Sequence, residues 1–470
     1  MKLFSKRNEG SEGWHLVLPK PDANSMYQPI HNGPEASKIP RDVAESMDFE
    51  QDEDRNSLVS RLKTILQHKE AKKQLVSCKA SDAQRLLDTF QQLLDSPEID
   101  SKFRRELIVA MQTISTKSGL HPTCYELKGV EQTSQYPVTA GGFADIYRGR
   151  FKGKAVCLKT LRLYERGHVE HALQMFSKEA LLWGQLSHQN VLAIFGLFHF
   201  QNRPSIVSLW MDNGNVNDYL KKNPHAPRQR LALDVGNGLA YLHDMGIVHG
   251  DLKGPNVLVD NAGHAQLCDF GISSVMDFDL VSWTSQQATG PKAGTVRWQA
   301  PELIPIDDDG EVIRCTTASD VYAWACVSFE IFVGEVPFAD IRRDAVVVHR
   351  VQSGARPKRP DSSSPVWNEW ALTENIWSCM EHCWDGEPGQ RPSAKEVIEY
   401  LERFHLDLKE RQRTKFEVQF TGHDIPQQRI ETDRLSPADF RRQMSEPIEM
   451  LTTDSLNNIL GTPAIPMGKS

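Results

Sequence analysis

Residues 248–256 read Val248-His249-Gly250-Asp251-Leu252-Lys253-Gly254-Pro255-Asn256, and Asp269-Phe270-Gly271 follows a little further on. Between them lie two short apolar runs, Val257-Leu258-Val259 and His264-Ala265-Gln266-Leu267-Cys268, with Asn261-Ala262-Gly263 in the middle. That middle string is a turn signal, so the stretch predicts a tight antiparallel hairpin. The hairpin is expected to set Asn256 opposite Asp269, where facing Cα atoms lie about 4.5–5.5 Å apart. An amide oxygen and a carboxylate at that separation are hard donors that suit Mg²⁺. Asp251 precedes the first donor closely enough to reach a hydroxyl beside the metal, and Lys253 can touch a transferring phosphate. Seven positions carry the pattern; at about 5% per residue type, a random match is on the order of 10⁻⁹ per starting position.

These strings resemble the catalytic loop and metal motif of eukaryotic protein kinases. Other landmarks of that family occur in its order. Thr139-Ala140-Gly141-Gly142-Phe143-Ala144-Asp145-Ile146 stands where a glycine-rich loop belongs, and Val156-Cys157-Leu158-Lys159 matches the strand lysine. Glu179 follows in a helical pattern, then Ala300-Pro301-Glu302, Ser319-Asp320-Val321-Tyr322 and Arg391-Pro392. The match covers residues 128–408. Gly294-Thr295-Val296-Arg297-Trp298 and the Cys383-Trp384 ending are similar to the tyrosine-kinase-like branch. Within that branch, Ser118-Gly119-Leu120-His121-Pro122 resembles fungal Ser/Thr members.

The resemblance implies an α+β bilobal fold, with a small antiparallel sheet plus one helix at 136–211 and a mostly helical lobe at 212–408. It implies ATP and Mg²⁺ as cofactors and proteins as substrates. Asp251 is then the base, Lys253 neutralises the transferring group, and Asn256 and Asp269 are the metal ligands. Lys159, paired with Glu179, holds the α- and β-phosphates, and Gly141 and Gly142 cover them. Leu209 and Met211 bond the adenine edge through their backbone; Ile146, Cys157 and Leu258 sandwich the ring, and Ser208 stands at the back. Lys253 together with Thr295 resembles Ser/Thr specificity. Glu302 and Arg391 are expected to pair, and Asp320 to anchor the catalytic loop.

The helix carrying Glu179 can be read from the residues alone. Ala172, Phe176, Glu179 and Trp183 recur at helical spacing, so the carboxylate lies on an inward face and needs a partner. Two departures stand beside the match. Thr139 and Ala144 replace glycines in the phosphate loop; Ala144 is small enough to let the backbone approach phosphate, while Thr139 stiffens the loop. Gly250 replaces the arginine that binds a phosphorylated activation loop, which predicts weak dependence on such phosphorylation. A folded scaffold that binds partners without phosphoryl transfer is therefore the alternative.

Around this region the chain predicts three others. Residues 1–50 mix Pro, Gly, Asn and charge and are expected to lack order. Residues 51–120 show three helical stripes, led by Leu58-Leu62-Ile65-Leu66, Ala83-Leu86-Leu87-Phe90-Leu93-Leu94 and Phe103-Leu107-Ala110-Met111-Ile114. Core packing is the expectation for them, with a surface for a partner protein as the other reading. Ser96-Pro97-Glu98 is the expected start of the third helix and Gly119 its stop. Residues 412–470 turn polar again and are expected to be mostly disordered.

A net charge of −8 argues against a nucleic-acid protein driven by bulk charge. Eight cysteines without a dense framework fit a reducing compartment: the cytoplasm, with the nucleus open. Cys379 and Cys383 read as helix packing rather than metal ligands. Val321 to Val333, the most apolar stretch, contains Glu330 and is too short to span a bilayer; it predicts a buried helix, and no transmembrane segment is expected.

Overall fold

The computed structural model describes residues 4–5, 15–16, 41–78, 80–96, 98–140, 144–162, 180–200, 203–270, 295–304, 314–403 and 450–460. The chain divides into two compact units, one of residues 1–185, 194–207 and 437–470, the other of residues 186–193 and 208–436.

The first unit opens with helices α1 (Arg41–Gln67), α2 (Lys69–Leu75), α3 (Ala80–Leu94) and α4 (Ser101–Ser118). Every residue of the three predicted stripes is buried, so the periodic leucines do make the core. There are four helices rather than three because the first run breaks at His68, whose ring nitrogen accepts from Ala71 N and caps α2. The start of α4 also differs from expectation. Asp100, not Ser96, is its cap, accepting from Phe103 N at 2.8 Å. A carboxylate there also meets the positive end of the helix dipole. Gly119 closes α4 in the left-handed conformation, as its sequence signal implied.

Described elements occur in the segments expected to lack order at 1–50 and mostly to lack it at 412–470. Phe4–Ser5 pairs with His15–Leu16, α1 begins at Arg41, and Thr453–Leu460 is a helix. Composition reports what a segment can bury by itself; the Thr453–Leu460 helix is instead held by other helices of the unit. Apart from these and residues 450–452, 1–50 and 412–470 lie outside the described residues.

The sheet of the first unit contains β1 (Glu131–Gln132), β2 (Thr139–Ala140), β3 (Ala144–Phe151), β4 (Lys154–Leu161), β5 (Ile194–Phe200) and β6 (Arg203–Leu209). Its order is β1-β3-β4-β6-β5, with β2 also pairing β3. Antiparallel β3 and β4 place Ile146 opposite Lys159 and Arg148 opposite Cys157. Side chains alternate along a strand, so Ile146, Cys157 and Lys159 share one face. The opposite face carries Tyr147, Val156 and Leu158 into a core with Phe151, Phe200 and Val207.

The second unit is mostly helical. It comprises α5 (Val216–Lys222), α6 (Arg228–Asp244), α7 (Thr317–Val333), α8 (Asp344–Gln352), α9 (Pro365–Asn368) and α10 (Glu374–Cys383), plus a hairpin of β7 (Val257–Val259) and β8 (Ala265–Leu267). The predicted buried helix is α7: Trp324, Ala325, Cys326, Val327, Ile331 and Phe332 are all sealed from solvent. Thr316 and Ser319 form a capping box at its start, and α6 and α10 pack against it. Cys379 and Cys383 are buried in α10, and burial pushes the Cys383 thiol up, as packing residues require. No described helix is long and apolar enough to cross a membrane.

Candidate active site

In the second unit the loop between α6 and β7 is assembled from below by buried carboxylates. Asp320 of α7 accepts from His249 N (2.7 Å) and His243 Nε2 (2.9 Å) on one oxygen and from Gly250 N (2.9 Å) on the other. This is the anchor expected of Asp320. Glu330, also on α7, was legible only as the one charge in the apolar run Val321 to Val333, a signal that it must have partners. It accepts from Asn217 Nδ2 (2.8 Å), Gly254 N (2.9 Å) and Trp298 Nε1 (2.7 Å). Burial pushes its carboxyl above the usual range, and those three donors act against the shift. One helix thus fixes the loop at Gly250 and at Gly254, on either side of Asp251 and Lys253.

Gly250 has a conformational reason as well as a missing charge. Its φ is +70°, which costs glycine nothing and a larger residue about 1 kcal/mol or more. The next residue turns its carboxylate toward the loop. Asp251 Oδ2 accepts from Lys253 Nζ (2.9 Å) and Asn256 Nδ2 (3.2 Å). Its other oxygen, Oδ1, is buried without a hydrogen-bond partner among the described residues. Lys253 Nζ also donates to Thr295 Oγ1 at 3.2 Å. Asn256 Nδ2 donates a further bond to the Asp251 carbonyl (2.7 Å), which turns the amide oxygen away from that backbone.

The hairpin is present, but its register is one residue from the expected one. Leu267 pairs with Val257 and Gln266 with Leu258, and Cys268 N donates to Asn256 O at 3.0 Å. Asn256 therefore faces Cys268, and Asp269 falls one residue past it. The turn falls on Asn261-Ala262-Gly263 as read, with Gly263 N donating to Asp260 O and Asp260 N to His264 O, and counting outward from that turn sets Asn256 opposite Cys268 rather than Asp269. Asp269 is exposed, with a left-handed φ of +55° that Asp tolerates better than most residues. Phe270 beside it is buried edge-on against His249. Asn256 and Asp269 supply hard oxygens within one hairpin, a donor set that fits a divalent cation such as Mg²⁺.

At the end of β6, Ser208 is buried while Leu209 and Met211 are half-exposed. The chain then turns through Gly214, whose N bonds Met211 O, and Gly214 O accepts from Val259 N. Asn215 bridges Leu258, so the segment after Met211 is stitched to the strand carrying Leu258. In the first unit, Lys159 shares its sheet face with Ile146 and Cys157, and its Nζ lies 5.8 Å from the Trp183 ring centroid. Trp183 is buried in the helical turn 180–183, at the end of the predicted stripe. Glu179, Gly141, Gly142 and Gly271 lie outside the described residues.

Glu302 and Arg391 form the expected pair, two parallel bonds of 2.7 and 2.8 Å, with Arg391 also reaching Ala318 O.

Residues 133–401, more than half of the chain, match the family described as protein tyrosine and serine/threonine kinase. The serine/threonine-protein kinase STY17 of Arabidopsis thaliana is 31% identical over 285 residues, which are 59% of this chain and 45% of that protein. The serine/threonine/tyrosine-protein kinase HT1 of the same plant is 30% identical over 278 residues, 58% of this chain and 66% of that protein. The dual specificity protein kinase shkC of Dictyostelium discoideum is 29% identical over 293 residues, 60% of this chain and 53% of that protein. This chain thus matches about half the length of these relatives.

Proposed function

The chain belongs to the eukaryotic protein kinase superfamily, and from that premise we propose that it transfers the γ-phosphate of ATP, with Mg²⁺, to Ser and Thr hydroxyls of proteins in cytoplasmic signalling. One observation carries the reading: Asp251 has one oxygen tied to Lys253 and Asn256 and the other buried without a described partner. A structural carboxylate closes both oxygens, as Asp320 does. A base needs one left for the proton it receives.

Bound ATP with its metal supplies the phosphoryl group and the positive charge that balances the phosphates. The chain's own groups do the rest. Asp251 Oδ1 accepts the substrate hydroxyl proton as the hydroxyl oxygen bonds to phosphorus and the bond to the ADP oxygen breaks. Asn256 and Asp269 would hold the metal. Lys253, steered by Asp251 and Thr295, meets the charge of the transferring group. Lys159 would hold the α- and β-phosphates, with Glu179 as its support. Ile146, Cys157, Leu258, Ser208 and the Leu209 and Met211 backbone would receive the adenine. Positioning and electrostatics supply most of the acceleration in such chemistry.

Three features support Ser/Thr over Tyr: Lys253 after the base, its bond to Thr295, and the names of the relatives, two of which also include tyrosine or dual specificity. The scaffold alternative rests on Thr139 and Ala144 in the phosphate loop and on Gly250 in place of arginine. Labelled ATP with Mg²⁺ and a generic acceptor protein separates the two, wild type beside Asp251→Asn. Transfer onto serine and threonine by the wild type alone is the expected result; equal label in both samples rejects catalysis at this site.

A further inference from the structure

Helix α3 is buried all the way round over residues 86–91, though Asp88, Thr89 and Gln91 are polar. A helix sealed on every side has neighbours on every side, and these three residues identify them. Asp88 accepts from Thr123 N (2.6 Å) and Thr123 Oγ1 (3.0 Å), fixing the strand-ward exit of the bundle. Gln91 Oε1 accepts from Tyr125 Oη (3.1 Å) and Gln185 Nε2 (2.6 Å), and Gln185 also donates to Tyr125 Oη (3.0 Å). Tyr125 is fully buried against Gly184, where a Cβ would overlap its ring. Gly184 and Gln185 close the turn that follows Glu179 and Trp183. Thr89, buried, accepts from Leu451 N at 3.1 Å.

Leu451 stands two residues before the Thr453–Leu460 helix, which lies against α1 and α2. Leu451, Leu456 and Leu460 are buried, Arg61 Nε donates to Asn457 Oδ1 (2.9 Å), and Thr453 bonds Ser57 (3.2 Å). Thr452 caps the helix by accepting from Ser455 N. Eight residues are too few to hold a helix in water, so its order comes from its seat.

We propose that the N-terminal bundle is a receptor for the chain's own Thr453–Leu460 segment, and that occupancy of the seat is transmitted through α3 and Tyr125 to the turn after Glu179, raising phosphoryl transfer. The activity part rests on the kinase reading above; the docking does not. Occupation covers Thr89, and Gln91 sits two residues further along the same helix. A more rigid α3 holds Tyr125 and Gln185, and with them the helical turn 180–183, whose Trp183 ring lies beside Lys159.

The test uses the full-length Leu456→Asp chain, whose own tail is dislodged, and a fluorescently labelled peptide of residues 448–462. The peptide binds this variant, and binds wild type at least tenfold more weakly because the seat is filled. Adding Arg61→Ala, which leaves the apolar packing intact, weakens peptide binding about fivefold. Peptide addition slows hydrogen exchange at amides 182–186 and restores the several-fold loss of transfer rate in Leu456→Asp; rescue in trans rules out simple misfolding. No peptide binding to Leu456→Asp overturns the docking. Binding without any change in exchange at 182–186 overturns the transmission. Binding and slowed exchange in a chain that transfers no phosphate reject the kinase reading and leave the receptor standing.

Discussion

The loop at 248–256 and the central stretch of α3 are both short, both rich in buried polar groups, and opposite in how those groups are closed. In α3 each polar side chain meets a partner: Asp88 takes Thr123, Thr89 takes Leu451, and Gln91 takes Tyr125 and Gln185. In the loop the supporting carboxylates Asp320 and Glu330 are just as closed, yet Asp251 keeps one oxygen without a described partner. An unsatisfied buried polar atom is costly. Neutral groups such as Asn190 Oδ1 and Tyr322 Oη are also buried without a partner, but among the described residues Asp251 Oδ1 is the one carboxylate oxygen left so.

The largest expected effect tests the open oxygen. Asp251→Asn should lower phosphoryl transfer by about 10²–10⁴-fold, the usual worth of a positioned base, with a melting temperature near wild type. Steady-state rates beside a thermal melt decide it; a large loss of stability would put Asp251 among the structural carboxylates. Next comes a closed pair. Arg391→Leu leaves Glu302 facing the core side of a bidentate bridge and should cost about 3–5 kcal/mol in denaturant unfolding of the second unit. A cost under about 1 kcal/mol would mark the pair as an ordinary surface bridge.

A smaller effect belongs to α3. Gln91→Leu removes the acceptor shared by Tyr125 and Gln185 and should cost about 1–3 kcal/mol. Hydrogen exchange should accelerate at residues 182–186 while Asp251 and its loop stay protected; uniform acceleration would erase the distinction between the two regions. The smallest is a slope. Burial holds the His249 imidazole below its usual range, with its ring accepting from Asp251 N. The unfolded imidazole protonates near pH 6.5, so stability is full above that pH and is lost as pH falls through the lower folded value. His249→Asn keeps an acceptor and cannot charge, so its melting temperature should fall less between pH 7 and 5.5. A parallel decline in the two proteins would show that His249 carries none of the pH dependence.

The sequence by itself determined the local pieces. The stripes at Leu58, Leu86 and Phe103 were legible because helical periodicity repeats within a few residues, and α7 because a long apolar run has few other fates. The meeting of Asp251, Lys253 and Asn256 was legible because residue type and spacing set which groups can reach one another. Tertiary structure alone decided the rest. The role of Glu330 needed Gly254, 76 residues away, and the seat of Leu451 needed Thr89, 362 residues away. Such bonds satisfy buried groups whose partners only the folded chain brings near, and no window of sequence contains both ends.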